Sequence, residues 1–262
     1  MTRDHSVGSA ARSVMLSEHR VDVAGHSVPY RVAGRGEPIV MIHGLGGSSR
    51  CWAWTLPALA RRYRVFLVDL PGFGRLRRLH RHFALDTAAR WLEEWMRTAG
   101  VGRAHLVGHS MGGCIAAQVA AAAPALVDRL VLVSAAGVPT GRSLADCVRR
   151  VPAGWRHRTA GAWRLLLPDA LLTRPWLVWR TARALLAQDL RETLGAIRAP
   201  TLVLWGTDDP MVPAECAAVF RGGIPGARTL LLQSAGHLPM ITRPDEFNRA
   251  LVAFFGGEPV GE

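Results

Sequence analysis

One serine lies where a buried strand turns sharply into a helix, in the sequence Gly108-His109-Ser110-Met111-Gly112. The flanking glycines carry no Cβ, so the strand and the helix can approach each other closely, and the serine hydroxyl is exposed at the edge of the sheet. A serine hydroxyl is a weak nucleophile and requires a base, and histidine has a pKa near neutrality that suits this role. The segment therefore predicts nucleophilic catalysis by Ser110.

Candidates for the base and for its supporting acid follow two later apolar runs. Asp209 comes shortly after the run 200–205, and His237 comes after the run 227–232. A carboxylate that accepts a hydrogen bond from one ring nitrogen of a histidine fixes its tautomer and stabilises the imidazolium form. The pattern therefore predicts that Asp209 and His237 act together with the serine.

Two backbone N–H groups are expected to stabilise the negative charge that develops on the substrate oxygen. A glycine-rich loop, His43-Gly44-Leu45-Gly46, follows the first buried strand, and its glycines let the backbone approach a substrate. Leu45 in this loop and Met111 after the serine are predicted to donate their N–H groups to this oxyanion. One such donor lowers the barrier by on the order of 3 kcal/mol.

Strands that alternate with helices must bring these residues together. Most of the strands are predicted from continuous apolar runs, which are typical of strands buried on both faces of a parallel sheet. The carboxyl ends of such strands meet at one edge of the sheet, where reactive groups gather. The predicted strands are an opening hairpin at 18–23 and 28–32, followed by 38–42, 64–69, 104–107, 129–134, 200–205 and 227–232.

These motifs resemble those of the α/β-hydrolase superfamily, and the resemblance covers almost the whole chain. The segments that carry it are 43–46, 69–74, 108–113, 205–213 and 236–239. The resemblance implies an α/β fold with a mostly parallel eight-stranded sheet flanked by helices, in the serine esterase or lipase-like branch with an inserted helical cap. It also implies Ser110 as the nucleophile, Asp209 as the acid and His237 as the base.

Two neighbouring residues compete for roles at this site. Asp208 is the rival of Asp209, but the family motif places the acid three residues after Gly206, which selects Asp209. His109 lies beside the serine, where the geometry of strand and turn directs it elsewhere. We therefore expect His109 to be a pocket residue that contacts substrate or supports the structure, not the base.

Residues 138–195 interrupt the alternation of strands and helices. They predict a helical cap, inserted into a core of residues 1–137 and 196–262, with short helices broken at Pro152, Gly154, Gly161, Pro168 and Pro175. The cap residues predicted to line an apolar acyl pocket are Trp155, Trp163, Trp176 and Trp179, together with the leucines at 165–167 and 185–186. The alternative is that most of these tryptophans pack the cap onto the core. Arginines interleaved with tryptophans also suit a lipid interface, which is the less favoured interpretation.

The charge of the chain is strongly positive. The formal net charge is +12, and all 32 basic residues are arginine. A basic surface for an acidic partner is one interpretation, but the arginines are dispersed over the whole length, which favours the codon usage of the genome as the cause. No nucleic-acid-binding motif accompanies them. We therefore expect a small-molecule ester as substrate, with no nucleic acid partner and no membrane contact.

The cysteines and the N-terminal segment bear on location and cofactors. The four cysteines, Cys51, Cys114, Cys147 and Cys216, are far apart in the sequence and predict neither a metal site nor a disulfide framework. Residues 1–14 lack the apolar centre of a signal peptide, and no apolar stretch has the length of a membrane span. We therefore expect a cytoplasmic protein that uses no metal and no cofactor.

These observations predict a serine hydrolase that cleaves carboxylic esters of small to medium hydrophobic acids through an acyl-enzyme intermediate. Serine at this turn argues against the dehalogenases and epoxide hydrolases of the superfamily, which have aspartate there. Carbon–carbon bond hydrolysis and perhydrolysis use the same triad and stay open. The carbon–carbon hydrolases typically have Asn and Trp where this chain has His109 and Leu238. A non-catalytic ligand-binding protein of the same fold is the remaining alternative.

Overall fold

The computed structural model describes residues 15–155 and 160–260, without the side chains of residues 151–155, 160 and 163. Within these residues, eight strands alternate with helices. The strands are β1 (Leu16–Val23), β2 (His26–Ala33), β3 (Glu37–Ile42), β4 (Tyr63–Val68), β5 (Ala104–His109), β6 (Val127–Val133), β7 (Thr201–Gly206) and β8 (Arg228–Leu232). Every predicted strand is present, with ends that differ from the prediction by one or two residues at most positions.

Helices connect most of these strands. The α-helices of the described residues are α1 (Leu56–Leu59), α2 (Leu85–Thr98), α3 (Met111–Ala122), α4 (Leu144–Trp155), α5 (Ala160–Leu172), α6 (Pro175–Leu186), α7 (Arg191–Leu194), α8 (Glu215–Gly223), α9 (Pro239–Thr242) and α10 (Pro244–Phe255). Short 3₁₀ helices cover Ser49–Trp52, Gly74–His82 and Pro124–Leu126.

The strands form one sheet in the order β1-β2-β4-β3-β5-β6-β7-β8. β2 pairs antiparallel with both β1 and β4, and the other neighbouring pairs are parallel. Since β3 to β8 all run in one direction, their carboxyl ends lie at one edge. This arrangement confirms the predicted α/β fold with a mostly parallel eight-stranded sheet.

The sheet has a hydrophobic core on each face, because successive side chains of a strand point to opposite faces. In β3, Ile39 and Met41 pack in one core with α1 and α10, whereas Val40 and Ile42 pack in the other core with α2, α3 and α8. β5 and β7 are buried along their whole length. This double burial is the physical reason why the central strands are continuous apolar runs in the sequence.

Four helices, α4 to α7, lie between β6 and β7, and we call them the inserted helices. The breaks predicted at Pro152 and Pro168 are wrong, since α4 and α5 continue through these residues. An internal proline removes only one backbone hydrogen bond, and the turns on both sides can keep theirs. Pro175 does begin a helix, α6. The first residue of a helix needs no backbone N–H, because that group has no acceptor within the helix.

The turn between β5 and α3 brings backbone segments into close contact. Ser110 has φ 52° and ψ −114°, and such a conformation costs a residue with a side chain about 1–3 kcal/mol. A Cβ at Gly108 would collide with the carbonyl oxygen of Gly112, and a Cβ at Gly112 would collide with the carbonyl oxygen of Ile42. Because glycine occupies both positions, the helix begins at Met111, directly after the serine.

Replacement of Gly108 by alanine should destabilise the protein by about 3 kcal/mol, because the added methyl group meets rigid backbone in a packed core. The matched control is Gly222→Ala in α8, where the added Cβ has no atom within 4 Å. Alanine favours helix over glycine, so this control should leave stability equal or slightly raised. Urea unfolding followed by circular dichroism measures both changes. Equal stability of the two variants would contradict the proposed close approach.

Candidate active site

Ser110 is held by backbone hydrogen bonds from several elements. Its N–H donates to the carbonyl of Val133 at the end of β6 (2.9 Å), and its own carbonyl accepts from Gly113, Cys114 and Ala136 at 3.0–3.1 Å. These bonds fix the strained turn from both sides. The side chain of Ser110 is mostly buried and lines a cavity of about 400 Å³.

His237 and Asp209 form a hydrogen-bonded pair at the wall of the same cavity. Nδ1 of His237 lies 2.8 Å from Oδ2 of Asp209. The other carboxylate oxygen of Asp209 accepts from the N–H groups of Met211 (2.8 Å) and Val212 (3.0 Å). The carboxylate is therefore fixed in place, and a proton on Nδ1 leaves Nε2 of His237 as the nitrogen able to accept one.

Asp208 takes no part in this pair. Its side chain is exposed and accepts a hydrogen bond from the hydroxyl of Thr207 at 3.0 Å. The backbone of Asp209, in contrast, turns its carboxylate inward, where it is buried beside His237. The geometry therefore brings His237 together with Asp209, the acid selected by the sequence motif.

His109 is the last residue of β5 and lines the cavity together with Ser110. Its Nε2 lies 2.8 Å from the backbone carbonyl of His237, so this nitrogen carries a proton and donates it. The two imidazole rings are 4.8 Å apart between centroids. His109 thus fixes the loop that carries His237, and this contact was not predicted from the sequence.

The loop that follows β3 is supported by a buried histidine. His43 is fully buried, accepts the N–H of Leu70 on Nε2 (3.0 Å) and lies with Nδ1 2.8 Å from the carbonyl of Gly44. Burial lowers the pKa of His43, which favours the neutral ring with its proton on Nδ1. His43 therefore shapes the loop as a neutral hydrogen-bonding group.

Leu45 and Met111, the two predicted oxyanion donors, belong to segments that lie next to Ser110. Leu45 lines the cavity, and the neighbouring Gly44 is so close that a Cβ on it would lie 3.2 Å from Cβ of Ser110. Met111 is the first residue of α3, and the first N–H groups of a helix have no acceptor within that helix. Both N–H groups thus belong to segments adjoining the serine hydroxyl.

The rest of the cavity wall is mainly apolar and comes largely from the inserted helices. Residues that contribute to it are Cys147 of α4, Leu166 of α5, and Val178, Ala182, Leu185 and Leu186 of α6. The spacing of the α6 residues places them on one face of the helix. This periodicity in the sequence is the signal that would have identified Val178 and Ala182, which sequence reasoning missed.

The tryptophans predicted to line the pocket are not part of the described wall. Trp176 and Trp179 are exposed on the surface of α6, so their prediction as substrate-binding residues is corrected. The helical period explains the difference, since Val178 and Ala182 occupy the inward face. The side chains of Trp155 and Trp163 lie outside the described residues.

A buried aspartate joins an inserted helix to the loop beside the cavity. Asp169 of α5 accepts a hydrogen bond from the hydroxyl of Ser48 at 2.5 Å and lies 3.8 Å from Arg50. Burial raises the pKa of the Asp169 carboxyl. Ser48 lies two positions after Gly46, the last residue of the glycine-rich loop, so its bond to Asp169 connects α5 to this loop, although Ser48 and Asp169 are 121 positions apart.

The described residues contain no group of three His, Cys, Asp or Glu side chains arranged to hold a metal ion. Chemically, the site offers a hydroxyl, an imidazole fixed by a carboxylate and backbone N–H groups beside an apolar cavity. These are the groups that acyl transfer through a serine requires.

Comparisons with known proteins agree on the family. A family model described as the alpha/beta hydrolase family matches residues 39–250. A pimeloyl-[acyl-carrier protein] methyl ester esterase of Aeromonas hydrophila is 29% identical over 256 residues, which cover 88% of this chain and 100% of that protein. A 2-hydroxy-6-oxo-6-(2'-aminophenyl)hexa-2,4-dienoic acid hydrolase of Metapseudomonas resinovorans is 28% identical over 264 residues, which cover 90% of this chain and 90% of that protein. The crystal structure of a membrane phospholipase A, a bacterial virulence factor, is similar with a TM-score of 0.81 and 29% identity, covering 92% of this chain and 86% of that one.

The two adjacent aspartates allow a matched test of the site. Asp209→Asn should slow the reaction of Ser110 with a fluorophosphonate probe by on the order of 10⁴-fold, because an amide favours the wrong histidine tautomer. Asp208→Asn should leave the rate unchanged, since the Asp208 side chain is exposed and its hydrogen bond comes from the hydroxyl of Thr207. The rate of covalent labelling, followed by intact mass spectrometry, measures both. If Asp208→Asn slowed labelling and Asp209→Asn did not, Asp208 would be the acid in place of Asp209.

Proposed function

The chain belongs to the alpha/beta hydrolase family, and within this family we propose that it is a serine hydrolase of carboxylic esters with small to medium hydrophobic acyl groups. The observation that carries this proposal is the 2.8 Å contact between His237 and the buried Asp209 at the wall of an apolar cavity that Ser110 also lines. A protein that only binds a ligand has no need for this contact.

The reaction proceeds in two halves, and each is an acyl transfer. Oγ of Ser110 attacks the ester carbonyl carbon while its proton passes to Nε2 of His237. The N–H groups of Leu45 and Met111 stabilise the oxyanion of the tetrahedral intermediate. The intermediate collapses, and the alcohol leaves with the proton from His237. Water then attacks the acyl-enzyme by the same sequence, with His237 as base, and releases the acid.

Asp209 and His109 act on His237 from different sides. Asp209 accepts a hydrogen bond from the Nδ1–H group and, staying ionised, stabilises the imidazolium that forms in each half-reaction. His109 donates to the backbone carbonyl of His237 and so keeps the ring near the serine. Neither residue transfers a proton to the substrate.

The inserted helices act as a cap that selects the acyl group. They supply aliphatic side chains and only a few polar atoms to the cavity, so the acyl chain lies against them while the ester carbonyl lies at Ser110. A cavity of about 400 Å³ is at the lower end of the usual range for small-molecule sites. This size supports short to medium acyl chains over long ones.

A second candidate is hydrolysis of a carbon–carbon bond next to a ketone, because the same serine, histidine and aspartate serve that reaction. One relative is named for the hydrolysis of a 2-hydroxy-6-oxo-hexadienoic acid. Against this candidate, the wall contains His109 and Leu238, where the carbon–carbon hydrolases typically have Asn and Trp. The ester reaction is therefore preferred.

A fluorophosphonate probe combined with a series of p-nitrophenyl esters tests the proposed chemistry. The protein should be labelled once, at Ser110, and it should hydrolyse the acetate to octanoate esters. Ser110→Ala should abolish labelling and reduce turnover by on the order of 10⁶-fold.

The two readouts distinguish the candidates. Labelling without ester turnover would favour the carbon–carbon reaction, which a diketone substrate would then confirm. Absence of labelling in a folded protein would contradict the role of Ser110 as nucleophile.

Substitution of one cavity residue should shift the acyl preference. Ala182→Phe fills part of the cavity from α6, so kcat/KM for octanoate should fall 10-fold or more while that for acetate changes by about 2-fold or less. The matched control is Ala187→Phe, which changes an exposed residue at the end of α6 outside the wall. A parallel loss for acetate and octanoate would show that α6 does not contact the acyl chain.

A further inference from the structure

One corner of the inserted helices exposes large apolar side chains to solvent. We call it the exposed corner, and it comprises the end of α5, the turn and the start of α6. Its residues and their exposed fractions are Leu167 (40%), Leu171 (74%), Leu172 (56%), Trp176 (43%) and Trp179 (53%). These five are half of the ten exposed large hydrophobic side chains of the described residues. Such a concentration marks an interaction site.

The exposed corner belongs to the outer faces of its two helices. Leu166 of α5 and Val178 and Ala182 of α6 point into the cavity, and the exposed residues occupy other faces of the same helices. Leu167 and Leu171 are four residues apart, which places them in one row along α5. The corner is therefore turned away from the substrate cavity, and acyl binding does not account for it.

Arginines surround the exposed corner and are not offset by exposed acids. Residues 160–188 contain Arg164, Arg174, Arg180 and Arg183, all exposed. The single acidic residue in this range is Asp169, which is buried against Ser48. The corner thus combines apolar side chains with a net positive charge.

Two of these arginines lie over the exposed indole rings. The guanidinium of Arg180 is 5.2 Å from the ring centroid of Trp176, and that of Arg183 is 4.9 Å from the ring of Trp179. Pairs of this kind keep a charged head beside an amphipathic ring, as in the aromatic and basic side chains of membrane interfaces.

A basic segment of the core extends the same surface. His80 packs edge-on against Trp176, with ring centroids 5.7 Å apart, and Arg180 donates a hydrogen bond to the carbonyl of Phe83. The 3₁₀ segment Gly74–His82 therefore adjoins the start of α6. It adds exposed arginines at positions 77, 78 and 81, and residues 70–85 contain no Asp or Glu.

We propose that the exposed corner and the adjoining basic segment dock on the surface of an anionic lipid bilayer. The leucines and tryptophans enter the boundary between headgroups and acyl chains, and the arginines contact lipid phosphates. Charge complementarity selects this partner, since an apolar surface that is rich in arginine and has no exposed Asp or Glu at residues 70–85 or 160–188 matches an anionic interface. Among the described helices, none has the length and apolar character that a bilayer crossing needs.

This inference replaces the sequence-based expectation of no membrane contact. That expectation relied on the even spread of arginines along the chain, which hides their position beside exposed leucines and tryptophans in the fold. Docking is independent of the proposed catalysis, so it can be tested with a protein that lacks the nucleophile.

Co-sedimentation with lipid vesicles tests the proposal. The full chain carrying Ser110→Ala, which cannot alter the lipid, is mixed with vesicles of phosphatidylcholine alone or with about one third phosphatidylglycerol. We expect at least 10-fold tighter partitioning to the anionic vesicles, weakened by added salt. The double variant Leu171→Glu, Leu172→Glu should lose this binding at least 10-fold, and Arg174→Gln, Arg183→Gln should lose part of it.

The matched control is the double variant Val219→Glu, Leu231→Glu, which adds two charges at exposed apolar residues of α8 and β8. This control should bind anionic vesicles with nearly the same affinity as the Ser110→Ala parent. Thermal melting followed by circular dichroism checks that every variant is folded. No binding to anionic vesicles would overturn the proposal, as would equal binding to neutral vesicles. An equal loss of binding in this control would show that binding depends on net charge alone, and would also overturn the proposal.

Discussion

The close approach of backbone around Ser110 is the constraint on which the site depends. Gly108 lies against Gly112, Gly112 lies against the carbonyl of Ile42, and Gly113 is packed on Ala135. The ends of β3, β5 and β6 are therefore brought together at one serine. The strained φ of that serine persists because backbone hydrogen bonds from three segments hold it.

Much of this site could be predicted from the sequence because its signals are local. Each strand is a buried apolar run, and each reactive residue follows the end of such a run, as Asp209 and His237 do. The parallel direction of the strands then brings distant residues to one edge. A family motif selected Asp209 over Asp208 as the acid. The structure shows the physical difference between them, since Asp209 is buried beside His237 and Asp208 is exposed.

The inserted helices were harder to predict because they are apolar on two sides. α6 contributes Val178 and Ala182 to the cavity and leaves Trp176 and Trp179 at the surface. Composition alone cannot assign an inner and an outer face to such a helix, and the large tryptophans were wrongly expected inside. The contact between Ser48 and Asp169 was missed for a different reason, since no local pattern marks a pair so distant in sequence.

Under the proposed function, that contact ties the part of the cavity that would select the acyl group to the loop predicted to stabilise the oxyanion. α5 forms part of the acyl cavity through Leu166, and its Asp169 holds Ser48, which lies three positions from Leu45. In the proposed reaction, a ligand that displaced α5 would also pull on the loop predicted to face the reacting oxygen. If the proposed function holds, reshaping α5 for a bulkier acyl group would also disturb this loop. Divergence toward bulkier acyl groups would then require that the hydrogen bond between Asp169 and Ser48 be kept while the rest of α5 changes.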